Sequence, residues 1–85
     1  MASYKLLIKP SAGKDLEAVP RKDRARIIER ISELASDPRP SGSEKLSGDD
    51  RYRVRQGAYR VVYSVDDATR IVIVVKIGHR KDVYR

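Results

Sequence analysis

The chain has 85 residues with no cysteine, no Phe or Trp, a single histidine and a formal net charge of +7. Disulfides and thiolate metal sites are therefore excluded, as are the usual multi-histidine metal clusters, and no apolar run approaches the roughly 20 residues that span a membrane. The charge points to a polyanionic partner, either nucleic acid or an acidic protein.

Ser3 to Lys9 reads as a strand, with Tyr4, Leu6 and Ile8 on one face and Lys5, Leu7 and Lys9 on the other. Its alternation with Lys marks it as a first strand rather than a signal peptide, and the expected compartment is the cytoplasm. Pro10 ends the strand, and Ser11 is the predicted N-cap of a short helix through Leu16 and Ala18. Pro20 disfavours helix at Val19 and so separates this helix from the next. Arg21 to Ser36 is the clearest helix, with Ile27, Ile28, Ile31, Leu34 and Ala35 forming its apolar stripe. Arg26 and Arg30 can pair with Glu29 or Glu33 one turn away. Asp37-Pro38 ends the helix, and Arg39 to Ser43 is a surface loop. The two helices are expected to form an αα hairpin packed by one face onto a sheet.

Arg51 to Tyr63 (RYRVRQGAYRVVY) reads as two strands meeting near Gln56-Gly57-Ala58. The period of two places Arg53 and Arg55 on one face. A two-residue turn at Gly57-Ala58 sets Arg55 opposite Arg60, whereas a turn at Gln56-Gly57 sets Arg53 opposite Arg60. Both registers gather three guanidinium groups on one face; a three-residue loop would disperse them. Like charges across a strand pair are destabilising, so such a face suggests an anion to be placed there, the bland alternative being a solvated polar face.

Asp66 to Thr69 reads as a turn, followed by a last strand from Arg70 to Ile77. Its more apolar face, Ile71, Ile73, Val75 and Ile77, is expected to meet Tyr59, Val61, Tyr63 and Val65 beneath the helices. That register needs an odd-numbered loop and sets Lys76 on the face of Arg53, Arg55 and Arg60. The predicted architecture is a single α+β domain over residues 1–85, β-α-α-β-β-β, an antiparallel meander with a helical hairpin on one face. The basic excess accompanies the strands: residues 45–85 hold ten Lys/Arg against five Asp/Glu, and residues 1–44 nine against seven. The closing GHRKDVYR joins anion-binding residues to an aromatic one.

No nucleophile elbow and no phosphate-binding glycine loop is present, and the Asp pairs 49–50 and 66–67 sit where turns are expected. The chemistry that remains is metal-free and cofactor-free phosphoryl transfer on RNA, whose own 2′-hydroxyl is the nucleophile. A protein must then align the 2′-oxygen with phosphorus, neutralise the phosphorane and move protons. Arginine forks suit the second task, and a tyrosine can stack on a splayed base.

The segments KLSGDDRYRVRQGAYRVVYSVDD and IVIVVKIGHRKDVYR, preceded by a strand, a helical hairpin and a Pro-containing loop, resemble the RelE/ParE superfamily of bacterial toxins, most closely its RelE branch. The resemblance covers essentially the whole chain. It implies a RelE-like toxin of a type II toxin–antitoxin system, a ribosome-dependent mRNA endoribonuclease that cuts in the A site without a metal. It implies silencing by a RelB-like antitoxin, acidic and partly disordered when unbound, through which alone operator DNA is contacted. On the family's motif the catalytic basic pair falls on Arg53 and Arg55, and the phosphate-stabilising arginine on Arg60. The acid to the leaving oxygen falls on Arg80, and the base-stacking tyrosine on Tyr84. Well-studied members carry lysines at the positions of Arg53 and Arg55, one a proposed general base; arginine is a poor proton acceptor, which makes His79 a candidate base. Lys45, Arg51, Lys76, Lys81 and Arg85 are the expected RNA-binding residues. The competing readings are a ParE-like inhibitor of DNA gyrase on the same fold and an inactive RNA- or antitoxin-binding module.

Overall fold

A computed structural model describes residues 3–46 and 50–79. The elements in chain order are β1 (Lys5–Ile8), α1 (Pro10–Glu17), α2 (Arg21–Glu33), β2 (Glu44–Lys45), β3 (Arg51–Gln56), β4 (Tyr59–Asp66) and β5 (Ile71–His79). They form one five-stranded sheet in the order β1-β5-β4-β3-β2, with β1 parallel to β5 and the other pairs antiparallel. The expected meander is β3-β4-β5. The parallel edge strand makes the sheet mixed, and the short β2 is an addition to the predicted elements.

The helices form where the apolar spacing predicts them, with adjusted ends. Lys9, in extended conformation, precedes α1, and Pro10 occupies the first turn in place of the expected Ser11 cap. Proline suits that position because its missing N–H has no helical partner to lose. The second helix stops at Glu33, and Leu34 to Ser36 continue as tight turns, with the Leu34 N–H donating to the Ile31 carbonyl at 3.0 Å. Ile28, predicted in the apolar stripe, is 47% exposed. The core is Ala12, Val19, Ile27, Ile31 and Leu34 from the helical side packed on Val54, Val61, Tyr63, Val65, Val72, Val74 and Ile77 of the sheet.

The buried face of β5 differs from the prediction. Asp66 pairs with Ile71, so the connection is the four residues Asp67 to Arg70. Its shape is set by Asp66, whose Oδ1 accepts the N–H groups of Ala68 and Thr69, and by Arg70 at φ 57°. An even-numbered loop sets Val72 opposite Val65 and Val74 opposite Tyr63, so these two valines, rather than Ile71 and Ile73, enter the core. Val62 then pairs with Lys76, which leaves Val75 as an extra, bulged residue. The bulge reverses the alternation, so Ile77 turns inward opposite Val61 and becomes 2% exposed.

Candidate active site

Gln56 pairs with Tyr59 across a two-residue turn in which Gly57 has φ +60°. A positive φ at the first turn position and not at the second is the type II′ signature. This selects the register with Arg55 opposite Arg60 and Arg53 opposite Val62. Val54 and Val61 point into the core, so the arginines occupy the sheet face turned away from the helices, here termed the open face. Arg60 is buried there at 5% exposed, beside the more accessible Arg55. Arg53, Val62 and Lys76 form one rung across the open face, and Arg55, Arg60 and Gly78 the next.

The short β2 supplies a carboxylate. Glu44 pairs with Arg53 in register, and its Oε1 accepts from Arg53 Nη2 at 2.6 Å. The bond from Arg53 and then the charges of Arg53, Arg55 and Arg60 hold the Glu44 carboxyl below the usual carboxylate range. Glu44 is thus a counter-ion shared by the cluster, which offsets the repulsion that facing guanidinium groups create. Because β2 is two residues long, β3 is an uncovered edge beyond Arg53. A solvent-open cleft of about 410 Å³ forms there, lined by Arg30, Gly42, Glu44, Arg53 and Arg55. Guanidinium groups keep their charge at any accessible pH, so the cleft presents planar, bidentate donors to an anion.

On the other face, the ends of the elements are tied by a polar chain. Asp67 receives both Arg39 Nη atoms, at 3.2 and 2.7 Å, and the Tyr4 hydroxyl at 2.7 Å. Arg39 also lies over Tyr52, 5.2 Å from the ring centroid, and Tyr52 stacks on Tyr63 at 5.9 Å. The Tyr63 hydroxyl donates to the Pro38 carbonyl at 2.6 Å. Together these contacts fix the loop that leads into β2, and hence where Glu44 meets Arg53.

The predicted site residues divide. Arg53, Arg55, Arg60, Arg51 and Lys76 share the open face. Lys45 does not: it pairs with Tyr52 and lines the cleft that contains Arg39 and Asp67, on the helical side. His79 is likewise displaced. It pairs with Tyr59, the two rings meet edge-on at 5.8 Å, and they line a cleft with Asp15, Val19 and Ile77. The bulge at Val75 is the reason, because it sets His79 in phase with inward-facing Ile77. Arg80, Lys81, Tyr84 and Arg85 lie outside the described residues. Sequence reasoning missed Glu44; an isolated acidic residue in a Ser/Gly loop carried no periodic signal.

Residues 6–84 match the family model described as ParE toxin of type II toxin–antitoxin system, parDE. The chain is 33% identical to toxin RelE of Mycobacterium tuberculosis, covering 96% of this chain and 87% of the relative. It belongs to the RelE/ParE family of type II toxins. Toxin RelG of the same organism is 29% identical, over 96% of this chain and 97% of the relative. The fold of this RelE-type toxin is similar to that seen in the crystal structure of the RelBE2 toxin–antitoxin complex from Mycobacterium tuberculosis. That similarity has a TM-score of 0.81 and 25% identity, over 92% of this chain and 99% of the other.

Proposed function

We propose that this RelE-type toxin is a metal-independent endoribonuclease that cleaves mRNA in the ribosomal A site and so inhibits translation. The observation that supports it most is the buried Arg60 set opposite Arg55, with Arg53 and Lys76 one rung away on the open face. In this reading the substrate's 2′-oxygen loses its proton and bonds to the adjacent phosphorus, and the bond to the 5′-oxygen breaks. The 5′-oxygen takes up a proton, and a 2′,3′-cyclic phosphate is left. Arg55 and Arg60 bind the non-bridging oxygens and stabilise the phosphorane; Arg53 orients the phosphate and holds Glu44. Glu44, on the open face beside the arginines, is the proposed acceptor of the 2′-proton in preference to His79, which pairs with Tyr59; its lowered basicity leaves charge stabilisation by the arginines as the larger contribution. Arg80 as acid and Tyr84 as stacking residue follow from the family motif. A RelB-like antitoxin, as in the RelBE2 complex of the Mycobacterium tuberculosis relative, is the proposed inhibitory partner, with ribosome and mRNA as target.

Primer extension on a defined mRNA with programmed ribosomes and EDTA tests this. Wild type and His79→Ala are expected to cut equally in the A site, Arg55→Ala at least about 10²-fold more slowly, and Glu44→Gln slowly with a changed pH profile. Intact mRNA with folded wild-type protein would overturn the reading. The ParE name of the matching family model favours a second one, inhibition of DNA gyrase, which a supercoiling assay on the same protein measures.

A further inference from the structure

A second cleft crosses the open face beside the arginine cluster. Its volume is about 400 Å³, and it is lined by Lys9 and Ser11, by Val75 and Lys76 of β5, by Val62 of β4, and by Arg51 and Leu46. This lies within the range of about 300–1,000 Å³ of small-molecule sites. Three cations stand at its rim, no carboxylate lines it among the described residues, and Val62, Val75 and Leu46 give it an apolar floor. Lys9 belongs to it because the Lys9 N–H donates to the Val74 carbonyl at 3.0 Å, which extends the parallel pairing past β1 and keeps Lys9 in phase with Lys5 and Leu7 on the open face.

The floor is a product of the bulge. In a regular strand Val75 and Lys76 would point to opposite faces; the extra residue lets both line the same cleft. Lys76 and Arg53 share a rung with Val62 between them, two strand spacings or roughly 10 Å apart. The two clefts are therefore adjoining stations along one cationic face.

We propose that this cleft is a second nucleotide subsite, which takes the base of a nucleotide flanking the scissile one on Val62 and Val75 and its phosphate on Lys9 and Lys76. The combination favours a nucleotide over a bare phosphate, because an apolar floor adds nothing for a phosphate alone. Continuity with the arginine cluster favours single-stranded RNA over an acidic protein. The inference rests on the reading of the open face as an RNA site, and it gives Lys9, just past the first strand, a role in substrate binding.

The test is equilibrium binding of a short 2′-O-methyl RNA, which cannot undergo 2′-attack, to the full chain by fluorescence anisotropy across a salt series. Wild type is compared with K9Q/K76Q, with R55Q, and with the charge-matched control K22Q/R26Q on α2. K9Q/K76Q is expected to raise Kd roughly three- to tenfold at about 50 mM salt, and to lower the salt slope by about 0.7 for each phosphate that is no longer neutralised. V75S is expected to weaken binding with no change in slope, and only when the flanking position carries a base rather than an abasic sugar. If R55Q weakens binding while K9Q/K76Q matches the control, the second subsite is wrong and the arginine site stands. If wild type binds no RNA, the second subsite is overturned, while cleavage in the A site is decided separately by primer extension with programmed ribosomes. If K9Q/K76Q leaves RNA binding intact but abolishes binding of poly-glutamate, the cleft belongs to an acidic protein and the proposal fails.

Discussion

Tyr63 has no exposed surface, and its hydroxyl bonds the carbonyl of buried Pro38 at 2.6 Å. Tyr63→Phe leaves that buried acceptor without its donor, so a loss of about 1–3 kcal/mol is expected in urea unfolding. Burial also pushes the Tyr63 phenol up to about 12. A raised folded value favours the neutral form, so its contribution is complete below the ordinary value near 10 and is lost as pH rises from there toward 12. Tyr63→Phe should remove that part of the alkaline fall in stability. Asp67 has the opposite sign: the bonds from Arg39 and then Tyr4 hold its carboxyl below the usual range. Its contribution is present above about pH 4 and is lost as pH falls through the lowered value. Asp67→Asn should flatten the acid limb of a Tm-against-pH curve, modestly, because the pair is solvent-exposed.

At the scale of elements, a turn and a bulge decide which side chains meet. Gly57 at φ +60° sets Arg55 opposite Arg60, and a Cβ there would touch nothing within 4 Å. Gly57→Ala should therefore cost only backbone strain, about 1–2 kcal/mol, and leave the fold intact by circular dichroism. Val75 is a different case. Deleting it would leave Val74 opposite Tyr63, Lys76 opposite Val62 and Ile77 opposite Val61, because the residue removed is the extra one, so the strand becomes regular and the faces beyond it are kept. The expected outcome is a retained cooperative unfolding transition in urea, with the open-face cleft altered where Val75 lined it. Deleting Ala68 from the exposed β4–β5 loop is the comparison, with backbone changes confined to a surface turn.

For the whole molecule, the net charge of +7 is not spread evenly: Arg51, Arg53, Arg55, Arg60, Lys9 and Lys76 converge on one side of the sheet. A ligand that binds only the folded state stabilises it by mass action. Phosphate should therefore raise Tm above its value in chloride of equal ionic strength, by about 4–8 °C for each kcal/mol of binding. Arg55→Gln should remove most of that difference in differential scanning fluorimetry; equal shifts in both proteins would mean that the open face binds phosphate no better than the rest of the surface.

The sequence by itself determined the helical hairpin, the β3–β4 hairpin and the common face of Arg53 and Arg55, because periods of 3.6 and 2 are local and survive without knowledge of neighbours. It also carried the family, whose pattern lies in the same hairpin and in the closing segment. It left open which arginine faces Arg60, which a single positive φ at Gly57 settles. The inward residues in the first half of β5 and the meeting of Glu44 with Arg53 were decided only by tertiary structure. Each depends on pairing between residues distant in the chain. In β5, Val72 and Val74 are as apolar as Ile71 and Ile73, so hydrophobicity alone cannot choose between them. The four-residue loop makes that choice, and the bulge at Val75 restores the expected faces beyond it, with Ile77 inward and Lys76 beside the arginines.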